Sequence, residues 1–207
     1  MLNRPKSRIL ILFGALSPIM YIAAAVIGGT LAPGYDHVRD SVSDLLRPGA
    51  PNKALLDSLM LLSNVFTILG SIGILLVHKA INKLARTGIF LILATGILSI
   101  LSASVFRLPT GPEMTVSGVI HIAIVAALVL TSLALILMIG SGMSRYEGWK
   151  YFKLYSIITF LLFFIGGGLS PVIIAKGIPV VGLVEKLSVC VYFQWIIVLF
   201  IKFYKYK

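Results

Sequence analysis

The sequence predicts an all-α, polytopic membrane protein: a bundle of six transmembrane helices with a short amphipathic outer helix between spans one and two. Three observations carry this prediction. The 207 residues are 58% hydrophobic and only 12% charged, with a mean hydropathy of +1.03, whereas a soluble domain is about 45–50% apolar and about 25% charged. Six stretches reach the ~20 mostly apolar residues that a spanning helix needs. Basic residues gather on alternate connections between those stretches. A soluble enzyme is excluded, because a domain of this size cannot hide so much apolar surface. A disordered chain is excluded too, since disorder requires a shortage of apolar residues.

The spans run 9–31, 55–77, 88–106, 116–139, 154–175 and 180–201, within a single domain 1–207. The apolar core of the first is longer than the ~7–15 residues of a cleavable signal peptide, and no small-x-small site ends it. It reads as an anchor that stays. Charges occur only near span ends; Glu185 and Lys186 lie close to the start of the sixth.

Orientation follows from the connections. Arg4, Lys6, Arg8, Lys79, Lys83, Arg86, Arg145, Lys150, Lys153, Lys202, Lys205 and Lys207 fall on one side, twelve of the 18 basic residues. Arg39, Arg47, Lys53, Arg107, Lys176 and Lys186 fall on the other. The positive-inside rule places the first set, and with it both termini, in the cytoplasm of a cell-membrane protein. Of the seven acidic residues only Glu147 is inside, so the outer charges balance and the whole net charge of +11 is cytoplasmic. Such charge reads as topology plus attraction to anionic lipid. Nucleic acid is not an expected partner, because no inner connection is long enough to form a binding domain. Tyr146, Trp149 and Tyr151 suit the headgroup layer, and His78 reads as interfacial. The single cysteine, Cys190, permits no internal disulfide; between Val189 and Val191 it reads as a buried small apolar residue.

The first outer connection is about 20 residues long, well beyond the ~2–8 usual between bundled helices. Pro33-Gly34 and Pro48-Gly49 are turn signals. Between them Val38, Val42, Leu45 and Leu46 recur at helical spacing, which predicts an amphipathic helix lying on the outer interface. Asp36 is its expected N-cap. Arg39 can pair with Asp36 or Asp40, and Asp44 with Arg47. The loop reads either as a self-paired connector or as the wall of an outward-facing polar pocket.

Other polar residues share that side. His121 lies about one and a half turns into span four, and a histidine within a span is by default a functional candidate. A hydrogen bond to a neighbouring helix is its plain alternative. Glu185 and Lys186 can pair with each other, or Glu185 can meet His121 or Arg107. Ser63 and Asn64 in span two and Ser99, Ser102 and Ser104 in span three either line the pocket or permit close packing. The Gly166-Gly167-Gly168 run with Ser170-Pro171 marks a close crossing or a kink in span five.

At this point the chain resembles a known family. The pieces are Pro33-Gly34-Tyr35, then Arg39-Asp40-Ser41-Val42-Ser43-Asp44-Leu45, Gly49-Ala50-Pro51, the segment from Phe106 to Pro109, His121, and Gly182-Leu183-Val184-Glu185-Lys186-Leu187. In order and spacing they resemble the six-helix prokaryotic membrane family called domain of unknown function 998. The resemblance implies a six-helix bundle with its characteristic polar residues outside. It implies no activity.

The cluster is compatible with three activities. The leading expectation is a protein that binds or senses a lipid headgroup or small ligand, with Arg39, Asp40, Arg107, His121 and Glu185 as binding residues and arginine forks as anion donors. The alternative is an intramembrane hydrolase or transferase acting on lipid. Its candidate catalytic residues are Ser41, Ser43, Asp44, His121 and Glu185, arranged as nucleophile, base and orienter. A small transporter protomer is the third. No cofactor is expected: His78 and His121 sit at opposite faces, which does not suit haem, and two outer histidines without close spacing do not suggest a metal site. Membrane lipid is the expected partner, and homo-oligomerisation is compatible with the six-span length.

Overall fold

The computed structural model describes residues 4–107, 109 and 115–206. Six α-helices follow in chain order: α1 (Arg4–Leu31), α2 (Lys53–Val77), α3 (Lys83–Ser104), α4 (Val116–Met143), α5 (Lys150–Ala175) and α6 (Val181–Lys205). Each is long and apolar enough to cross a membrane. Among the described residues there is no strand. At the terminal end five of the six helices run four or five residues beyond the predicted spans, because their polar turns stay helical outside the apolar stretch, whereas α3 stops at Ser104, two residues short of its predicted end.

Consecutive helices pack on one another and α6 closes the circuit on α1. The start of α1 and the end of α6 therefore lie at one end of the bundle, here the terminal end. The connection between α1 and α2 lies at the opposite end.

Glycine sets the closest crossing. A Cβ on Gly70 would stand 2.5 Å from the Gly14 Cα, with the Phe200 ring of α6 seated over both. Pro18, inside α1, cannot donate to the Gly14 carbonyl four residues back. Ser17 Oγ donates to that carbonyl at 3.1 Å instead, and the Ser17 carbonyl accepts from Ser63 Oγ of α2 at 2.7 Å. Such substitution of partners is what permits proline inside a membrane helix. Ser63 thus ties α1 to α2. In α5, Gly166 gives Ser188 of α6 room to pack, the close crossing expected of the glycine run, and α5 continues through Pro171.

The terminal end is closed by aromatic packing. Trp149 is buried among Phe152, Phe203 and Tyr206. Trp149 thus packs inside the bundle end, whereas Tyr151 is 81% exposed. Lys202 covers the indole with its ammonium 4.9 Å from the ring centroid. The last carbonyls of α6, which no helical N–H can satisfy, accept from side chains: Arg8 donates to the Tyr204 carbonyl at 2.8 and 2.6 Å. His78, at the end of α2, is buried with Nε2 2.9 Å from the Phe203 carbonyl. Cationic side chains at a helix C-terminus also suit its dipole.

Cys190 is exposed, not buried. Its apolar neighbours in sequence point elsewhere on the helix, because successive residues turn by about 100°.

Candidate functional site

The α1–α2 connection keeps its two predicted turns: Gly34 and Gly49 have φ of +77° and +82°, conformations that glycine adopts without strain. Between them stands a 3₁₀ helix, Val42–Leu46, of five residues. Its Val42 and Leu45 are buried against Ala24, Ala25, Leu56 and Met60, while Val38 stays exposed. The helix is shorter than the hydrophobic pattern suggests, and its cap is Ser41, not Asp36. Ser41 Oγ accepts from the Asp44 N–H at 3.2 Å, and Asp44 Oδ2 accepts from the Ser41 N–H at 2.8 Å. This reciprocal box satisfies two orphan donors at once. The Asp36 carboxylate instead accepts from the Val38 N–H at 2.8 Å. That bond, assisted by the Arg39 N–H and guanidinium, holds the Asp36 carboxyl below the usual carboxylate range.

The segment from Tyr35 to Ser41 lies across the start of α6. Val180, the cap residue of α6, makes no side-chain cap bond. The loop supplies the acceptors: the Gly182 N–H donates to the Arg39 carbonyl at 3.3 Å and the Leu183 N–H to the Val38 carbonyl at 2.9 Å. Gly182 is required here because a Cβ would collide with the Asp40 backbone. Lys186, one turn on, donates to the carbonyls of His37 and Asp40 at 3.0 and 2.7 Å. Its ammonium also sits 5.2 Å from the centre of the Tyr35 ring. Tyr35 Oη donates to the Asp40 and Ser41 carbonyls, both at 3.1 Å. Burial, with the negative charges of Glu185, Asp40 and Asp44 behind it, pushes the Tyr35 phenol above its ordinary value. The Glu185 carboxylate faces the Val42 N–H.

The remaining predicted residues belong to a second group on α2, α3 and α4. His121 Nδ1 lies 2.8 Å from the Phe106 carbonyl and 3.0 Å from Ser102 Oγ, so the histidine joins α4 to the end of α3. A bond to a carbonyl requires the proton on Nδ1. Arg107 donates from Nε to the Ala103 carbonyl at 2.8 Å and from Nη2 to Asp57 Oδ2 at 3.3 Å. Lys53 donates to the same carboxylate at 2.6 and 2.7 Å. Two cations share one carboxylate. Neither Lys53 nor Asp57 is among the residues singled out from sequence, although their i, i+4 spacing on a helix is the signal that finds them.

The structure thus sorts the predicted residues into two groups. Arg39, Asp40, Ser41, Ser43, Asp44 and Glu185 gather where the loop meets α6, with Ser41 Oγ 2.8 Å from Ser43 Oγ and 2.7 Å from Asp44 Oδ2. Arg39 pairs with Asp36 at 3.6 Å and keeps 68% of its side chain exposed; Arg47 pairs with Asp44 at 2.6 Å. Arg107 and His121 gather around α3. Among the described residues the side chains of Arg107 and His121 meet Asp57, Ala103, Ser102 and Phe106, and Glu185 is not among these partners. Adjacent residues of α2 connect the groups: Leu56 packs against the loop, and Asp57 holds Arg107. Glu113, an acidic residue of the connection between α3 and α4, lies outside the described residues. Among the described residues no group of three or more His, Cys, Asp or Glu side chains is placed to hold a metal ion.

A family model described as protein of unknown function (DUF998) matches residues 15–202. No curated protein and no solved structure matches the chain.

Proposed function

We propose that this chain, which belongs to the DUF998 family and is a multi-pass membrane protein, binds an anionic group at the loop end of its bundle. The single observation behind this reading is the sharing of Asp57. Lys53 Nζ and Arg107 Nη2 both contact Oδ2 of one carboxylate, at 2.6 and 3.3 Å. The trio carries a net positive charge at the end of a membrane bundle. Arg107 uses Nε and Nη2 in its bonds to Ala103 and Asp57, two of the five N–H donors a guanidinium carries. A phosphate or carboxylate fits such a fork better than a neutral group does. The headgroup of an anionic lipid and a small soluble anion share this chemistry. Arg39, largely exposed on the docked loop, adds charge at the same end. The hydrolase and transporter readings gain no comparable observation.

The charge distribution supports a placement as well. The terminal end carries the larger set of basic residues, so in a cell membrane this end faces the cytoplasm and the binding end faces outward.

Two measurements test the reading. The purified protein is titrated with inorganic phosphate and, separately, reconstituted with anionic or zwitterionic lipid and followed by native mass spectrometry. Arg107→Ala should weaken retention of the anion by about 10-fold or more, the value of one charge-assisted bond. Binding to phosphate alone assigns a soluble anion, and retention of anionic lipid alone assigns a headgroup. Equal retention by wild type and Arg107→Ala overturns the proposal. For orientation, a cysteine at Ala50 in a Cys190→Ala background should react with an impermeant maleimide from outside, and one at exposed Glu147 should not. The reverse pattern overturns the placement.

A further inference from the structure

We infer that the outward face of α6 is a self-association surface, and that a second copy of this chain is its occupant, joined through Gln194. Buried residues of α6 (Ser188, Trp195, Ile196, Leu199, Phe200 and Phe203) define the side that faces the bundle. Leu183, Leu187, Cys190, Gln194 and Ile201 recur at helical spacing on the opposite side, and all are exposed. Within the predicted span 180–201 Gln194 stands seven residues, about 10 Å at 1.5 Å per residue, from the end that leads into the basic C-terminal turn, level with Tyr155 in the second turn of α5. An exposed amide therefore stands on the outward face within the apolar stretch of α6. Lipid tails offer it no hydrogen bond.

The protein satisfies this amide only in part. Tyr155 of α5 donates its hydroxyl to Gln194 Oε1, and Nε2 donates to the Val191 carbonyl one turn back at 3.1 Å. The amide has two N–H donors and two acceptor lone pairs, so one N–H and one lone pair stay without a partner among the described residues. Those two remaining functions are complementary to themselves. Across a two-fold axis, the N–H of one copy donates to the oxygen of the other and the same bond is returned, which is the isologous geometry of a closed dimer. Glutamine is one of the residues that join helices in this way inside membranes. The neighbouring helix leaves room for a partner: only 11% of the apolar window of α5 is buried, against 28–33% for the other five helices. This inference does not depend on the anion site.

The test uses the full chain carrying donor or acceptor fluorophores at its C-terminus, reconstituted in liposomes at falling protein-to-lipid ratio. Energy transfer should follow a monomer–dimer isotherm. Gln194→Leu should raise the dissociation constant roughly 10-fold, and Gln194→Asn, which keeps an amide, should recover part of the loss. Both substitutions lie on the outward face; Gln194→Leu also removes the acceptor of the Tyr155 hydroxyl, and Tyr155→Phe, which loses that same bond but keeps the amide, should leave the isotherm unchanged. A chain that stays monomeric at every ratio overturns the inference. So does an isotherm that Gln194→Leu leaves unchanged, or a monomer that retains a lipid only when Gln194 is present.

Discussion

Lys186 Nζ donates to the Asp40 carbonyl at 2.7 Å, a bond between residues 146 apart in sequence. With its bond to the His37 carbonyl it fixes the connecting loop to the first turns of α6. The ammonium is held by backbone dipoles and the Tyr35 ring, and no carboxylate lies in direct contact with it among the described residues. Lys186→Met keeps the stem and removes the three donors. It should lower stability by about 2 kcal/mol, the value of a charged hydrogen-bond group that is partly solvated. Hydrogen exchange reads the effect locally: amides of residues 37–44 should exchange roughly 10-fold faster or more, and those of the α1–α2 crossing should change little. Equal acceleration throughout would show that Lys186 supports the whole bundle and not the loop.

Tyr35 gives the loop an upper pH limit. Its phenol titrates above the ordinary 10.0, because burial and the nearby Glu185, Asp40 and Asp44 disfavour the phenolate. A tyrosine whose folded value is raised contributes stability that is fully present below the unfolded value. That stability is lost as pH rises from about 10 through the folded value. Ionisation would also remove the proton donated to the Asp40 and Ser41 carbonyls. The loop should therefore loosen above pH ~10, and Tyr35→Phe should remove this dependence while costing about 1 kcal/mol at neutral pH. The chain has eight tyrosines, so the measurement is the difference in tyrosinate absorbance between wild type and Tyr35→Phe across an alkaline titration.

The bundle was legible because apolar length alone decides a spanning helix, and Gly34 and Gly49 were legible because the turns they occupy need positive φ. The cap of the outer helix was harder to read. Asp36 and Ser41 are both capping residue types, but only Ser41 has an acidic residue three positions on, and that spacing makes the box. Cys190 was misread because apolar neighbours in sequence say nothing about which face of a helix a residue occupies. His121 and Lys186 were found as polar residues near span ends. Their partners, the carbonyls of Phe106, His37 and Asp40, are backbone groups that any sequence offers. The division of the site into two groups follows from helix order in space, which local pattern does not encode.

The α1–α2 crossing should tolerate no side chain. A Cβ at Gly70 would press on the Gly14 backbone and on the Phe200 ring, and backbone cannot yield as a flexible side chain can. Gly70→Leu should destabilise the fold by about 2–3 kcal/mol, typical of overpacking in a filled core. Thermal unfolding in detergent reads the loss. Gly168→Leu is the control, since a Cβ there meets nothing within 4 Å, and it should leave the melting temperature close to that of wild type.

Asp57 distinguishes an anion site from a purely structural ion pair. Its carboxylate competes with any external anion for Lys53 and Arg107, at 2.6 and 3.3 Å. Asp57→Asn preserves shape and removes the competing charge. These side chains are a third exposed or less, and solvent still screens the pairs, so the stability lost should be about 1 kcal/mol. Anion affinity should rise, by about 3-fold to 10-fold, because both cations then lack their internal partner. Arg107→Ala should act in the opposite direction on affinity with a similar small effect on stability. Phosphate titration of the two variants side by side gives the answer. Opposite shifts in affinity support binding at this trio, and two variants that lose stability without any change in affinity would leave Asp57 as a tie between α2 and α3.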